Sequence, residues 1–235
     1  MNLGKNSDNQ PFTVFIEGNV GSGKSTFLNL FKKFEDFLVL DEPVEKWKNL
    51  QGHNLLDLKF KDPERFQFSF QSYATVTRLR QHIEKTEKPI KIMERSLLTA
   101  RRCFVENLFE TGSLDIGAYH VMNEWYDFVN EFHPIRCNVI VYLRTSPEVA
   151  SARVKERARE EEAVLSDEYL NKLHQRHEKL FNELKGLERV KVIVIDADKN
   201  SDEIQSEFDR CKGEIMQLYK STKENRENRD VFIKI

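Results

Sequence analysis

The string GNVGSGKST, residues 18–26, has the residue types and the spacing of a phosphate-binding loop. Gly18, Gly23, Lys24 and Ser25 match the P-loop pattern. Glycines let the backbone curl so that successive N–H groups point at one anion, and the helix that follows adds its positive N-terminal end. Lys24 supplies positive charge to the outer phosphates, and the Ser25 hydroxyl can ligate Mg²⁺. The remaining residues of this predicted phosphate-binding loop are Asn19, Val20, Gly21, Ser22 and Thr26.

Two further stretches place charged side chains at the ends of apolar runs. Glu42 follows the run FLVL, and Glu94 and Arg95 end the run IKIMER. Phosphoryl transfer to a hydroxyl needs a base for its proton, cations for the developing charge and a metal ligand. Glu42 fits the base, Arg95 fits the positive clamp, and Glu94 fits a direct or indirect ligand of Mg²⁺. We therefore predict a catalytic set of Glu42, Arg95, Glu94 and Lys24, with Ser25 and Glu94 on the metal side.

A basic segment after the fourth apolar run has two interpretations. Arg153, Lys155, Arg157 and Arg159 precede three glutamates that end at Glu162. They could form an exposed helix with charge pairs four residues apart. They could equally form a mobile lid that brings arginines onto the transferred phosphate and excludes water. The sequence leaves both interpretations open.

Alternating apolar runs and helical patterns predict the scaffold that positions these groups. The runs are FTVFI (12–16), the weaker FLVL (37–40), IKIMER (90–95), NVIVYL (138–143) and VKVIVID (190–196). The helical patterns cover 24–34, 64–85, 98–108, 116–131, 147–160, 167–185 and 201–218. Nearly continuous apolar runs are typical of strands covered on both faces. We therefore predict one α/β domain over residues 1–235 with a parallel sheet wrapped in helices.

Two details of this scaffold are predicted as well. Within the helix from Pro63 to about residue 85, the apolar spacing places Phe66, Phe70, Tyr73, Thr77 and Leu79 on the inward side. Residues 1–10 and about 220–235 are expected to be flexible tails. The last strand could supply an ATPase metal ligand at Asp196, but we favour a plain buried last strand.

Composition excludes several classes of protein. The chain of 235 residues is 39% hydrophobic with a net charge of −2, so we expect no general attraction to nucleic acid polymers or to anionic membranes. Its 3 cysteines are too few and too scattered for a disulfide framework. No apolar stretch is long enough to span a membrane. The start of the chain has neither a secretory nor an Arg-rich leader pattern, which favours a cytoplasmic or nuclear enzyme and leaves a mitochondrial location open.

The motifs taken in order resemble those of the deoxyribonucleoside kinase family. The stretches that carry the resemblance are EGNVGSGKST, DEPVEKW, FQSYATVTRLR, MERSLLTARRCFVEN, YLRTSPEVASARVKERAREEE and the DAD of VIVIDAD. Within that family the chain looks closest to the broad-specificity insect enzyme. The resemblance implies transfer of the ATP γ-phosphate, with Mg²⁺, to the 5′-hydroxyl of a deoxynucleoside in nucleotide salvage. It also implies a five-stranded parallel sheet and a homodimer.

The same resemblance implies roles for individual residues. Glu42 would be the base on the 5′-hydroxyl, and Arg95 its partner. Gln71 would read the edge of the nucleobase, Phe104 would stack on it, and Glu162 would reach the sugar 3′-hydroxyl. Further expected contacts of the nucleoside are Trp47, Leu56, Phe60, Ala74, Arg78 and Ala100. The lid arginines Arg153, Arg157 and Arg159 would close on the phosphates.

Departures from the family pattern bear on specificity. Phe60 stands where the family has a tyrosine that binds the 3′-hydroxyl, which predicts a weaker preference for that hydroxyl, by about 1 kcal/mol. Ala74 and Arg78 stand where pyrimidine-leaning members have Val and Met. Ala100 stands where the family's aspartate pairs with the arginine, so Arg78 must find another acceptor or reach water. We therefore expect broad specificity in which purines are tolerated.

Two other functions remain possible from the residues alone. A nucleoside monophosphate kinase would share the phosphate-binding loop but would need further cations for the phosphate of its acceptor. A nucleotide-binding switch or scaffold would bind ATP without transferring its phosphate. The EPVEKW stretch favours a neutral hydroxyl as acceptor, because it offers a base.

Overall fold

A computed structural model describes residues 10–186, 190–224 and 231–235. Its centre is a parallel sheet of 5 strands in the order β2-β3-β1-β5-β6. These strands are β1 (Phe12–Glu17), β2 (Phe37–Leu40), β3 (Ile90–Glu94), β5 (Val139–Arg144) and β6 (Lys191–Asp196). A separate antiparallel pair joins β4 (Ile135–Arg136) to β7 (Phe232–Ile233). The predicted α/β class with a five-stranded parallel sheet is confirmed.

Helices cover both faces of the sheet. They are α1 (Lys24–Asn29), α2 (Val44–Lys48), α3 (Leu55–Lys61), α4 (Pro63–His82), α5 (Leu97–Thr99), α6 (Glu106–Glu110), α7 (Ile116–Phe132), α8 (Pro147–Arg157), α9 (Asp167–Lys185) and α10 (Ser201–Glu224). A π-helical segment (Ala100–Val105) joins α5 to α6, and a 3-10 turn (Glu160–Glu162) lies between α8 and α9. No helix in the described part of the chain is long and apolar enough to cross a membrane.

Successive residues of the central strand pack into different layers, which explains why its sequence is apolar without interruption. Val14 and Ile16 belong to the layer that contains Phe27 of α1 and Phe208 of α10. Phe15, between them, belongs to the layer on the opposite face, with α5–α7 and α9. All three strand residues are fully buried. A strand buried on both faces has no polar side to show in its sequence.

The inward face predicted for the long helix α4 is only partly correct, because Phe70 and Thr77 are buried but share that side of the helix with polar residues. Its buried residues include Gln67, Gln71, Thr75 and Arg78, whereas Phe66 and Tyr73 are only partly buried. The apolar spacing did not indicate the buried polar residues, because this helix borders a polar cleft as well as the apolar core. Helices α2 and α3, which border the same cleft, are too short to give a recognisable helical pattern in the sequence.

The end of the chain also differs from the flexible tail that was expected from about residue 220. Helix α10 continues to Glu224, and residues 231–235 return to the core. Ile233 and Ile235 are buried, and the backbone of Ile235 exchanges two hydrogen bonds of 2.9 Å with the Asn130 side chain. Residues 225–230, and residues 1–9 of the other expected tail, lie outside the described residues.

Candidate active site

The carboxyl ends of β1, β2 and β3 open into one cleft of about 310 Å³. The phosphate-binding loop follows β1, Glu42 follows β2, and Glu94 and Arg95 lie at the end of β3. Parallel strands end at the same edge of a sheet, so this arrangement follows directly from the topology. The remaining walls come from helices α2, α3 and α4, from Phe104 of the π-helical segment and from the segment between Arg157 and Tyr169. The charged groups that the sequence singled out therefore face a common space.

The phosphate-binding loop is held in place by a close approach to α8 and by hydrogen bonds of Asn19 and Lys24. Gly21 has φ of 78°, and an added Cβ would lie 2.4 Å from the Ala150 carbonyl oxygen, so the loop can approach α8 only with glycine there. Asn19 donates from Nδ2 to the carbonyl of Leu170 at 2.8 Å. Lys24 begins α1 and donates from Nζ to the Asn19 carbonyl at 2.6 Å. Burial lowers the pKa of Lys24 to about 8.

Ser25 and Glu94 form a pair beside this loop. The Ser25 hydroxyl donates to Oε2 of Glu94 at 2.8 Å. Burial, and then the negative charge of Glu42, raises the pKa of Glu94. Mg²⁺ commonly takes one or two protein oxygens and completes its shell with phosphates and waters. A hydroxyl and a carboxylate at this distance fit such a site, and no larger cluster of acidic, histidine or cysteine ligands occurs within residues 10–186, 190–224 and 231–235.

Glu42 is held between two arginines. Its Oε1 accepts from Arg78 Nη2 at 2.6 Å and from Arg95 Nη1 at 3.4 Å. Burial alone would raise the pKa of Glu42, but the positive charges of Arg95 and Arg78 outweigh it and lower the pKa to about 2. No hydrogen bond from the described part of the chain reaches Oε2. Glu42 is thus ionised and has one oxygen free to receive a proton donor.

Arg95 connects Glu42 to the phosphate-binding loop. It also donates from Nη2 to the Gly18 carbonyl at 3.3 Å, and its guanidinium lies 4.5 Å from the ring centroid of Phe104. The backbone of Arg95 has φ of 61°, a left-handed conformation that is uncommon for a residue with a side chain and often marks functional sites. This conformation turns the side chain out of the strand and into the cleft.

A buried carboxylate beneath Arg95 was not recognised from the sequence. Glu17 accepts hydrogen bonds from the backbone N–H of Ser96 at 2.9 Å, from the Ser96 hydroxyl at 2.5 Å and from the Thr99 hydroxyl at 2.7 Å. Burial raises the pKa of Glu17 in spite of these bonds. The bonds join the end of β1 to the start of α5 and so fix the turn that carries Arg95.

The arginine whose expected aspartate partner is absent forms an ion pair with a different carboxylate. Arg78, of which 7% of the side chain is exposed, pairs with Glu42 and lies with its guanidinium 4.8 Å from the Trp47 ring centroid. Its Nε is buried without an acceptor among the described residues. With Ala100 in place of the family's aspartate, Arg78 was expected to find another acceptor or to reach water, and its acceptor is Glu42, the carboxylate that we predicted to be the base.

Aromatic, aliphatic and amide side chains line the end of the cleft beyond Glu42. They are Trp47, Leu56, Phe60, Phe70, Gln71 and Phe104. Trp47 is fixed by a hydrogen bond from Nε1 to the Thr77 hydroxyl at 2.9 Å. No described residue makes a hydrogen bond with the Gln71 amide, which lies 5% exposed in the wall. Such a pocket offers flat apolar faces and one free donor–acceptor pair to a planar ligand.

Two of the predicted nucleoside contacts and one of the predicted lid arginines do not line this cleft. Ala74 and Ala100 are buried behind the wall, in α4 and in the π-helical segment. Arg153 is partly buried on α8 and also lies outside the lining. Asp196, the alternative metal ligand, is exposed at the end of the edge strand β6 and does not reach the cleft.

The other two predicted lid arginines bind Glu162. Arg159 donates to Oε1 of Glu162 at 2.7 Å, and Arg157 pairs with Oε2. Ala158, between the two arginines, ends α8 in a left-handed conformation. All three charged residues line the cleft. The end of the basic segment therefore forms part of the cleft wall, with its two arginines paired to Glu162.

Comparisons with known proteins show which family the chain is similar to. A sequence model described as deoxynucleoside kinase matches residues 14–220. The chain is 38% identical to mitochondrial thymidine kinase 2 of Homo sapiens over 218 residues, which cover 92% of this chain and 80% of the relative. It is 33% identical to deoxycytidine kinase 1 of Xenopus laevis over 218 residues, 80% of this chain and 82% of the relative. It is 34% identical to the deoxycytidine kinase of Mus musculus, with 80% of this chain and 84% of the relative covered.

Proposed function

Because the chain belongs to the deoxynucleoside kinase family, we propose that Glu42 is its catalytic base and that its cleft accepts purines as well as pyrimidines. Membership of this family makes the chain an ATP-dependent kinase that forms deoxynucleoside 5′-monophosphates in nucleotide salvage. The observation that carries the first part is the position of Glu42, ionised and with Oε2 unoccupied, beside the phosphate-binding loop. The free oxygen accepts the 5′-hydroxyl and takes its proton as the oxygen attacks the γ-phosphate.

The cations around Glu42 stabilise the charge that develops during transfer. Lys24 lies under the outer phosphates of ATP and becomes fully protonated beside them, since the anions offset the burial that lowers its pKa. Arg95 reaches both Glu42 and the loop, so it orients the base and neutralises the transferred group. Ser25 and Glu94 would hold Mg²⁺, which supplies further positive charge to the phosphates.

The nucleobase occupies the aromatic end of the cleft. Phe104 stacks on one face of the base, Trp47 flanks it, and Gln71 forms two hydrogen bonds with its edge through the free amide. Leu56 and Phe60 close the sugar side, with Glu162 opposite. When nucleotides bind, Arg157 and Arg159 exchange part of their bonding to Glu162 for the phosphates, and Arg153 approaches from α8.

The small residues behind the cleft wall favour a broad specificity for the nucleobase. Ala74 and Ala100 put little bulk around the base, and Arg78, whose Nε has no acceptor among the described residues, would gain one by turning from Glu42 towards a base. We therefore expect measurable kcat/KM for all four deoxynucleosides. The double variant Ala74→Val and Arg78→Met should raise the pyrimidine-to-purine ratio of kcat/KM by about tenfold, because it narrows the cleft.

Initial rates with ATP and each deoxynucleoside, with deoxynucleoside monophosphates as control acceptors, test this proposal. Phosphorylation of purines and pyrimidines alike supports it, and a strict preference for thymidine contradicts it. Because the double variant leaves the phosphate-binding loop unchanged, its ATP affinity should equal that of the parent chain.

A stripe on α7 supports a homodimer. Val121, Trp125, Phe128 and Phe132 lie on one face of that helix and are 45–49% exposed. Single exposed apolar residues are ordinary, but a contiguous aromatic stripe marks an interaction surface. Helix α4 lies beside α7, through contacts such as Thr75 with Tyr126 at 3.4 Å. A second copy of the chain, packed on this face, would cover it.

Trp125→Glu combined with Phe128→Glu is expected to convert the dimer to a monomer, because two charges would be buried in an apolar interface. Light scattering coupled to size-exclusion chromatography measures the mass directly. Asp127→Ala, at an exposed residue of α7 outside the stripe, is the matched control and should stay dimeric. A parent chain that is monomeric at micromolar concentration would contradict the proposal.

The cellular location is also a proposal. A cytoplasmic or nuclear enzyme fits the sequence prediction, whereas the human relative is described as mitochondrial. Fluorescence imaging of the natural full-length protein, tagged at its C-terminus, distinguishes these compartments.

A further inference from the structure

One cation in the cleft has no role in the mechanism above. Lys59, on α3, lines the cleft, and its Nζ lies 4.2 Å from the ring centroid of Phe60 and 4.1 Å from that of Phe70. Two aromatic faces hold an ammonium by cation–π attraction without satisfying its hydrogen-bond donors. The position of the charge is therefore fixed while its N–H groups remain available.

The other cations of the cleft all have acceptors. Lys24 donates to a loop carbonyl, and Lys32 to Asp41. Arg78 and Arg95 donate to Glu42, whereas Arg157 and Arg159 pair with Glu162. Within the described residues, Nζ of Lys59 has neither a hydrogen-bond acceptor nor an ion-pair partner. An ammonium without an acceptor in a half-buried wall is poised for a ligand oxygen.

The charges around Lys59 indicate which ligand atom it faces. Burial lowers the pKa of Lys59 to about 7, while Glu42 and Glu162 act in the opposite direction. Glu42 is assigned to the 5′-oxygen of the acceptor, and Glu162 lines the same cleft. A second sugar hydroxyl can donate to a carboxylate and accept from an ammonium at the same time. Lys59 and Glu162 offer that complementary pair.

We propose that Lys59 is a substrate-binding residue whose ammonium donates a hydrogen bond to the 3′-oxygen of the deoxynucleoside sugar. This inference rests on the proposed placement of the 5′-oxygen at Glu42. Phe60, next to it, supplies a ring that holds the ammonium but no donor of its own. The sequence predicted a weaker preference for the 3′-hydroxyl because Phe60 lacks a hydroxyl. If Lys59 supplies the missing hydrogen bond, that weaker preference should appear only when Lys59 is replaced, and not in the parent chain.

The test compares a 2′-deoxynucleoside with the matching 2′,3′-dideoxynucleoside in the parent chain, Lys59→Met, Lys59→Arg and the control Lys61→Met. Lys61 is on the same helix but is 70% exposed and pairs with Asp57. Lys59→Met should lower the ratio of kcat/KM values, deoxy over dideoxy, by about tenfold or more, since a charged hydrogen bond is lost. Activity on the dideoxynucleoside should change little. Lys61→Met should keep the parent ratio, and Lys59→Arg most of it.

Two further readouts separate binding of the sugar from a structural role. Phe60→Tyr in the Lys59→Met background should restore part of the ratio by adding a hydroxyl donor. In the parent chain the ratio should fall between pH 6 and pH 8 as the ammonium, with its pKa of about 7, loses its proton, and in Lys59→Arg it should stay level. The charged groups that face Lys59 are Glu42, Glu162, Arg78 and Arg95.

An unchanged ratio in Lys59→Met, or an equal loss on both substrates, overturns the inference. Failure of the proposed function has a different signature, because it would show as full activity of Glu42→Gln on both substrates. A lower ratio in Lys59→Met together with an active Glu42→Gln would keep the assignment of Lys59 to the sugar and remove that of the base.

Discussion

Glu42→Gln is expected to lower kcat by about 10²–10⁴-fold, the range that general-base catalysis contributes. The amide keeps the size of the side chain and an oxygen for Arg78, but it cannot take a proton from the 5′-hydroxyl. Steady-state rates with ATP and a deoxynucleoside measure the effect. KM for ATP should change little, because Glu42 faces the acceptor side of the cleft.

The control for this variant is Glu35→Gln, at an exposed residue outside the cleft, which should keep the parent kcat. Because Glu42 also pairs with two buried arginines, the thermal unfolding midpoint of each variant must be measured. A folded Glu42→Gln protein with the parent kcat would show that another group takes the proton.

The pKa of Glu42 adds a condition to this assignment. At about 2 it leaves the carboxylate ionised throughout pH 5–8, so no loss of activity in that range should come from Glu42. So low a pKa also makes a weak base. We therefore expect nucleoside binding to separate Glu42 from Arg78, which would raise the pKa of the carboxylate and free the guanidinium for the nucleobase.

Arg95→Met is expected to lower kcat by about 10²–10³-fold, similar to the loss of one preorganised donor to a developing anion. The variant loses the contacts with Glu42 at 3.4 Å and with the Gly18 carbonyl at 3.3 Å. It also removes the cation that faces Phe104. The variant should therefore orient Glu42 less well and neutralise less of the charge on the phosphoryl group.

Arg95→Lys separates these two contributions. Lysine keeps one charge but cannot reach Glu42 and the loop together, because it lacks the planar fork of arginine. Its kcat should fall between those of the parent chain and Arg95→Met. Equal kcat for Arg95→Lys and the parent chain would mean that only charge is needed, and an Arg95→Met protein with the parent kcat would contradict the role altogether.

The parts of the fold that could be predicted are those that depend on residues close to one another in the sequence. The five strands and the phosphate-binding loop were found because apolar runs and glycine spacing involve neighbouring residues. The predicted placement of Glu42, Glu94 and Arg95 at one sheet edge needed only the parallel topology. By contrast, the inward face of α4 was predicted only in part, since the helix borders a polar cleft and its buried polar residues leave no apolar pattern.

The side-chain pairings could not be read from the sequence. Arg78 binds a carboxylate 36 positions away, and this pairing depends on where α4 crosses the end of β2. The sequence around Glu17 is that of an ordinary strand end, and only the tertiary fold brings the hydroxyls of Ser96 and Thr99 to its carboxylate. Lys59 lies in a short helix that had no recognisable pattern, and its two aromatic neighbours come from different helices. Such contacts depend on tertiary packing.

The most direct test of the account is a crystal structure of the chain with a deoxynucleoside and a non-hydrolysable ATP analogue. The account predicts the 5′-oxygen within about 2.6–3.2 Å of the Glu42 carboxylate and in line with the γ-phosphate at the phosphate-binding loop. It also predicts that Arg78 has turned from Glu42 towards the nucleobase. A nucleoside whose 5′-oxygen lies away from Glu42, with Arg78 still bound to that carboxylate, would contradict it.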